Sequence, residues 1–232
     1  MKLVLIIISL VILCICSALC LPASAKSVGI FAYGSVISDP GSEIAAVRVN
    51  SINAETPFKI EFGRSSRMRD GAPTLVPVQE GGAKVNAVVI VLAPTVSEQE
   101  AADLLWRRET RKVGSGRRYN PPAHPKPNNV LVKKLTNFAG TDVVLYTDFP
   151  PAGKLNNPTP QQLAELAIAS AKAPAGAKGM DGISYLIAVK GSNIHTPLMA
   201  EYEKEILART QSTDLQQALD KLKPGDKKTP NQ

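Results

Sequence analysis

The sequence predicts an α+β fold: a small mixed or antiparallel β-barrel flanked by helices. Three observations predict it. Strand-like segments outnumber helical ones and come mostly in sequence-adjacent groups. Many connections between them are too short for helical crossovers, which disfavours an all-parallel sheet. The helices are few and announce themselves with caps. Neither a GxGxxG nor a Walker sequence is present, which argues against a doubly wound nucleotide fold.

Residues 1–25 stand apart from that fold. Met1-Lys2 is a short positive start, and residues 3–19 are almost wholly apolar. Leu21-Pro22-Ala23-Ser24-Ala25 then puts small residues at the two positions a signal peptidase reads. We expect a secretory leader cut after Ala25, and hence a periplasmic or secreted protein. The apolar run is a little short for a retained membrane anchor. Cleavage removes one lysine and no acid from a chain of formal charge +7. It also removes every cysteine, because Cys14, Cys16 and Cys20 all lie in the leader. The mature protein then has no disulfide, no thiol nucleophile and no zinc–thiolate site.

The domain is expected over 26–210. Val28 to Tyr33 reads as a short, largely buried strand ended by Gly34-Ser35. Ala45 to Ile52 alternates Val47 and Val49 with Arg48 and Asn50, as a strand does. Phe58 to Gly63 alternates cleanly, with one face buried and one wet. Thr74 to Val78 is a short strand whose Pro77 suits an edge or an end. After the Glu80–Ala83 turn, Val85 to Leu92 is the most apolar strand and should be central. Asn129 to Leu135, Thr141 to Phe149 and Ile183 to Lys190 complete the set.

Ser97-Glu98-Gln99-Glu100 is a capping box before Ala101, Leu104 and Leu105. Thr159-Pro160-Gln161-Gln162 repeats the signal, with proline at the first helical position. Thr196-Pro197 opens a third helix carrying Met199, Tyr202 and Ile206. Residues 211–232 should hold a short helix, Asp214 to Leu222, and then a disordered polar tail.

Two features could carry chemistry. Ala101, Leu105 and Glu109 are four apart and share the apolar face of their helix. Glu109 therefore puts a carboxylate where a hydrophobic residue is expected. Such a group must find a partner or stay protonated until a substrate arrives. It is either an acid paired with a nearby arginine or a general base. At the other feature, Tyr33-Gly34-Ser35, a strand ends in a tight turn. Its glycine allows close approach of a ligand to the backbone, and two hydroxyls could help hold it. An ordinary turn has the same residues.

Together these segments resemble the gamma-glutamylcyclotransferase-like family. Phe31-Ala32-Tyr33-Gly34-Ser35 is similar to its YGS loop at the end of the first strand. Ile60-Glu61-Phe62 followed by Gly71-Ala72-Pro73-Thr74-Leu75-Val76-Pro77 is similar to its second block. Gly82 with Val85 to Leu92 resembles the glycine-then-strand that follows. Leu105-Trp106-Arg107-Arg108-Glu109 resembles its Leu-Asp-x-x-Glu helix, whose last glutamate is catalytic. The resemblance covers about residues 28 to 119. It implies a small mixed barrel with a cavity at one end. It also implies that Tyr33, Gly34, Ser35 and Val36 hold the γ-glutamyl group and that Glu109 takes a proton from its α-amine. The amine would attack the γ-carbonyl and close 5-oxoproline, with no cofactor and no metal. The sequence departs from the pattern at Val36, where a polar residue is common, and at Trp106, which replaces the aspartate. Asn120 to Asn129, rich in proline, is a loop of its own.

Arg107, Arg108, Arg111, Lys112, Arg117 and Arg118 form a basic run. Such a run can contact phosphates, but an exported protein meets no cytoplasmic nucleic acid, and none is expected as a partner. A solvated face with one arginine paired to Glu109 is the plainer reading. Arg64, Arg67 and Arg69 could rim a cavity or form a wet loop with Asp70. His124 and His195 are the only histidines. No G-x-S-x-G elbow supports a Ser35–His hydrolase, and no H-x-H or H-E-x-x-H supports a metal site. The expectations are an exported enzyme acting on a small γ-glutamyl compound or, on the same fold, a non-catalytic protein that binds a ligand or a surface.

Overall fold

The computed structural model describes residues 26–222. The expected leader and the expected polar tail from Lys223 on lie outside the described residues. The seven strands are β1 (Val28–Ala32), β2 (Arg48–Glu55), β3 (Lys59–Ser66), β4 (Ala72–Val78), β5 (Asn86–Leu92), β6 (Leu131–Phe138) and β7 (Thr141–Asp148). They form a five-stranded sheet in the order β2-β5-β1-β7-β6 and a two-stranded sheet of β3 and β4. Only β1 and β7 run parallel; every other pair is antiparallel. The fold is therefore mixed α+β, as the sequence predicts. β5 is an interior strand between β2 and β1, with β1 at the centre of the sheet, and β4, with its Pro77, pairs with β3.

The helices are α1 (Ser35–Ser38), α2 (Ser42–Val47), α3 (Glu98–Glu109), α4 (Pro160–Lys172), α5 (Pro174–Ala177), α6 (Gly182–Gly191), α7 (Met199–Thr210) and α8 (Leu215–Leu222). Two of the three expected caps form, while Thr196 does not cap α7, which starts at Met199 without a side-chain cap; its hydroxyl donates to Glu61 instead. Ser97 Oγ accepts from the Glu100 N–H at 3.2 Å, and Thr159 and Gln162 make a reciprocal capping box.

Three strand expectations are corrected. Residues 60–64 of β3 are all buried, Glu61 among them, so this stretch has no wet face. Ile183 to Lys190 is not a strand but most of α6. Asp181 caps it, accepting from the Ile183 and Ser184 N–H groups at 2.9 Å each. Ile183, Leu186 and Val189 then face inward at helical spacing. An apolar run this short reads equally well as a buried strand, and the cap two residues upstream is what decides it. The segment Ala45 to Ile52 also begins as helix, in α2, and becomes strand only at Arg48.

Both faces of the main sheet are covered. Ile30 and Ala32 of β1 point to one face, where Ile44, Ile90, Ala101, Leu105 and Leu145 pack with them. Phe31 points to the other, against Val89, Val144 and the aromatic rings of Phe58, Phe138 and Tyr33. This is the period-two alternation of a strand used on both sides. A separate core joins β3 and β4 to the C-terminal helices through Ile60, Phe62, Leu163, Leu186, Tyr202 and Ile206. The end of β1, the C-terminus of α3 and the β3–β4 pair meet around one opening.

Candidate active site

That opening is a cavity of about 850 Å³, within the size range of small-molecule sites. Ser35, Arg108 and Glu109 line it together. Glu109 is the last residue of α3, and the apolar face of Ala101 and Leu105 is fully buried beneath it. Burial of that face fixes the helix rotation and so delivers the Glu109 carboxylate to the cavity wall.

Arg108 ties the two sequence features together. Its Nη1 donates to Glu109 Oε1 at 2.5 Å, and its Nη2 donates to Ser35 Oγ at 3.3 Å. Nε and Nη2 also donate to the Asp39 carbonyl at 3.0 and 2.6 Å. One guanidinium thus clamps the start of α1, the turn after it, and the acid. Glu109 is an acid paired with an arginine and, at the same time, an acid lining a cavity.

The YGS turn has the geometry that glycine permits. Gly34 sits at φ 63°, ψ −135°, a backbone conformation that costs other residues energy. A Cβ there would stand 3.4 Å from the Tyr185 hydroxyl. The N–H groups of Ser35 and Val36 open α1 and have no intrahelical acceptor by position. The Val36 side chain points into the core beside Ile30 and Ile44, so a polar side chain at this position would be buried. Tyr33 is half-buried among Phe31 and Phe58, and its hydroxyl donates to the Thr147 carbonyl at 3.3 Å. Burial pushes that hydroxyl well above its ordinary range, and the Glu109 charge adds to the shift. Of the four residues expected to hold the γ-glutamyl group, only Ser35 lines the cavity; Tyr33, Gly34 and Val36 do not.

The rest of the cavity lining is net cationic. Arg64, Arg67, Arg69, Arg111 and Lys112 line the cavity, against Asp39 and Glu109 as its only acids among the described residues. Arg64 lies over the Phe149 ring at 3.8 Å, and Arg69 over the Tyr185 ring at 5.0 Å. These are attractive cation–ring placements. Burial lowers the Arg64 guanidinium's proton affinity, and the Glu109 charge partly restores it.

The basic run of the sequence is divided by the fold. Arg107 turns away, pairs with Glu43 at 2.9 Å and donates to the Arg117 carbonyl. Arg118 lies 3.7 Å from Asp103. Only Arg108, Arg111 and Lys112 face the cavity. Neither histidine lines it; His195 is exposed and within 3.1 Å of Asn193 Oδ1.

Tyr185 is one of several lining residues that the sequence reading missed, with Met68, Phe149 and Met180. Its hydroxyl accepts from the Leu75 N–H at 3.4 Å, and burial raises its pKa. Reading Asp181 as a helix cap would have put Tyr185 on α6 rather than on a strand.

No family model matches the chain, and no curated protein matches it. Among solved structures it is similar to the crystal structure of a gamma glutamyl cyclotransferase specific to glutathione from yeast. The identity is 12%, the match covers 79% of this chain and 99% of that one, and the TM-score is 0.43.

Proposed function

We propose that this protein is a cyclotransferase that converts a γ-glutamyl amide to 5-oxoproline and releases the amine. The observation that carries this reading is that the side chains of Glu109 and Ser35 line one cavity, joined by a single guanidinium. The sequence resemblance of these same two segments supports it. Residues 1–25, with their apolar run and small-residue cut site, support action outside the cytoplasm.

The substrate's α-ammonium would lie against Glu109, which takes a proton from it. The freed amine attacks the γ-carbonyl within the same molecule, where proximity favours a five-membered ring. A C–N bond forms, and the γ-carbonyl oxygen takes the electron pair. The N–H groups that open α1 at Ser35 and Val36 are the donors for that oxyanion. Collapse breaks the bond to the leaving nitrogen, which receives its proton from Glu109. The nucleophilic nitrogen gives its second proton to the Glu109 carboxylate, which passes it to the departing amine, so the ring closes as a lactam and the amine leaves as its ammonium. No water is consumed.

The Arg108–Glu109 ion pair favours a second reading, a ligand-binding protein without turnover, because the carboxylate already has a cationic partner. One experiment separates the two. Protein from residue 26 onward is incubated with γ-glutamyl amino acids, γ-glutamyl amines and glutathione, and 5-oxoproline is followed by mass. Product from the parent and none from Glu109→Gln is the expected result. No product from the parent with any substrate, at several millimolar, would leave the binding role.

A further inference from the structure

Besides Arg108, five cationic side chains line the cavity, more than the two carboxylates of a simple γ-glutamyl amino acid would occupy. Among the described residues Arg64 forms no ion pair, and its Nε is buried with no hydrogen-bond partner. Arg64 is 9% exposed. A buried guanidinium donor left unmade costs free energy, and burying the charge without a partner adds to that cost. The fold goes out of its way to place it. In the β3–β4 ladder Phe62 pairs with Leu75 while Arg64 pairs with Thr74, so Gly63 is an extra residue on β3. Such a bulge re-aims the side chains that follow it. Phe62 goes to the hydrophobic core with Tyr202 and Tyr185. Arg64 lies instead on the cavity wall, over Phe149 and within the field of Glu109.

Apart from Arg108, its cationic neighbours in the cavity likewise form no ion pair with a carboxylate among the described residues. Arg69 stacks on Tyr185 and donates to the Met180 carbonyl at 3.1 Å. Arg111 reaches only the Met180 sulfur, and Lys112 lies over the Trp106 ring. Planar guanidinium groups with free N–H donors match carboxylates in charge and shape.

We infer that Arg64 anchors a carboxylate on the leaving side of the substrate, and that the preferred leaving amine is an acidic amino acid. This rests on the cyclotransferase reading for the word "leaving", but the anion site stands on Arg64 alone. A γ-glutamyl dipeptide ending in glutamate would place its α-amine at Glu109 and its extra carboxylate at Arg64.

The test compares γ-glutamyl-glutamate with γ-glutamyl-glutamine, which has the same shape and one charge fewer. Binding is measured by calorimetry to Glu109→Gln protein, so that turnover plays no part, and turnover is measured separately on the parent. The expected result is about tenfold tighter binding of the glutamate peptide, as for one charge-assisted hydrogen-bonded pair. Arg64→Gln in the same background should bring the two peptides to within about twofold, and Arg64→Lys should keep part of the difference. A melting curve of each variant confirms that it is folded. Equal affinities in the starting protein, or a preference that persists in folded Arg64→Gln, would overturn the inference. Turnover without preference would sink the anion site and leave the reaction standing. Preference without turnover would do the reverse.

Discussion

Arg108 should be the residue whose loss damages the site most without touching its chemistry directly. Arg108→Met removes the pair to Glu109 at 2.5 Å, two bonds to the Asp39 carbonyl and one to Ser35 Oγ. The two charged side chains are 13% and 19% exposed, so they sit closer to the buried limit than to the surface one. Breaking a buried pair from one side costs about 3–5 kcal/mol, against about 0–1 for an exposed pair. Water in the cavity screens Glu109, which puts the expectation near the lower end, about 3 kcal/mol. For a domain of this size that is a fall in Tm of about 6–12 °C. Part of the loss belongs to the pair and part to the turn, and a double-mutant cycle separates them. Arg108→Met, Glu109→Gln and the double variant would be unfolded in urea, and a coupling of about 2 kcal/mol is expected. A coupling under about 0.5 kcal/mol would refute the claim that the guanidinium holds the acid.

Other expectations follow from single contacts. Gly34→Ala must adopt a positive φ with its Cβ 3.4 Å from the Tyr185 hydroxyl, so it should lose about 1–3 kcal/mol, measurable as a lower urea midpoint; an unchanged midpoint would contradict the strained turn. Glu61 is buried, and desolvation raises its pKa above its ordinary 4.5 despite hydrogen bonds from Thr196, Phe62 and Leu198. A raised folded-state value means that the folded protein holds this proton more tightly than the unfolded one. The stability this gives is complete below 4.5 and is lost as pH rises through the raised value. The stability of the parent relative to Glu61→Gln should therefore fall as pH climbs through that window, and a difference that is flat or grows would contradict it.

Much of this was legible in the sequence, and the parts that were not have physical causes. The Ser97 and Thr159 caps fixed two helices because capping is local chemistry written in four residues. The four-residue spacing of Ala101, Leu105 and Glu109 brought the acid to a buried face, and its arginine partner proved to be its own neighbour. The helix at Ile183 was hidden because its apolar run has no polar face to show a period, and only Asp181 marks its start. The role of Arg64 was hidden for a different reason. A bulge at Gly63 shifts the ladder by one residue, and alternation read along β3 alone would have put Arg64 on the same face as Phe62. The cavity itself is assembled from segments far apart in the chain, Ser35 and Arg64 from its first third and Phe149 and Tyr185 from beyond its middle. No local pattern encodes that meeting.

The central claim is that an amine of the substrate, and not water, attacks the γ-carbonyl beside Glu109. The most direct measurement runs the reaction on γ-glutamyl-glutamate in water enriched in oxygen-18 and weighs the product. The account predicts 5-oxoproline carrying no label, and none formed by Glu109→Gln. Free glutamate from the γ-glutamyl half carrying one labelled oxygen would mean that water is the nucleophile, and would contradict it.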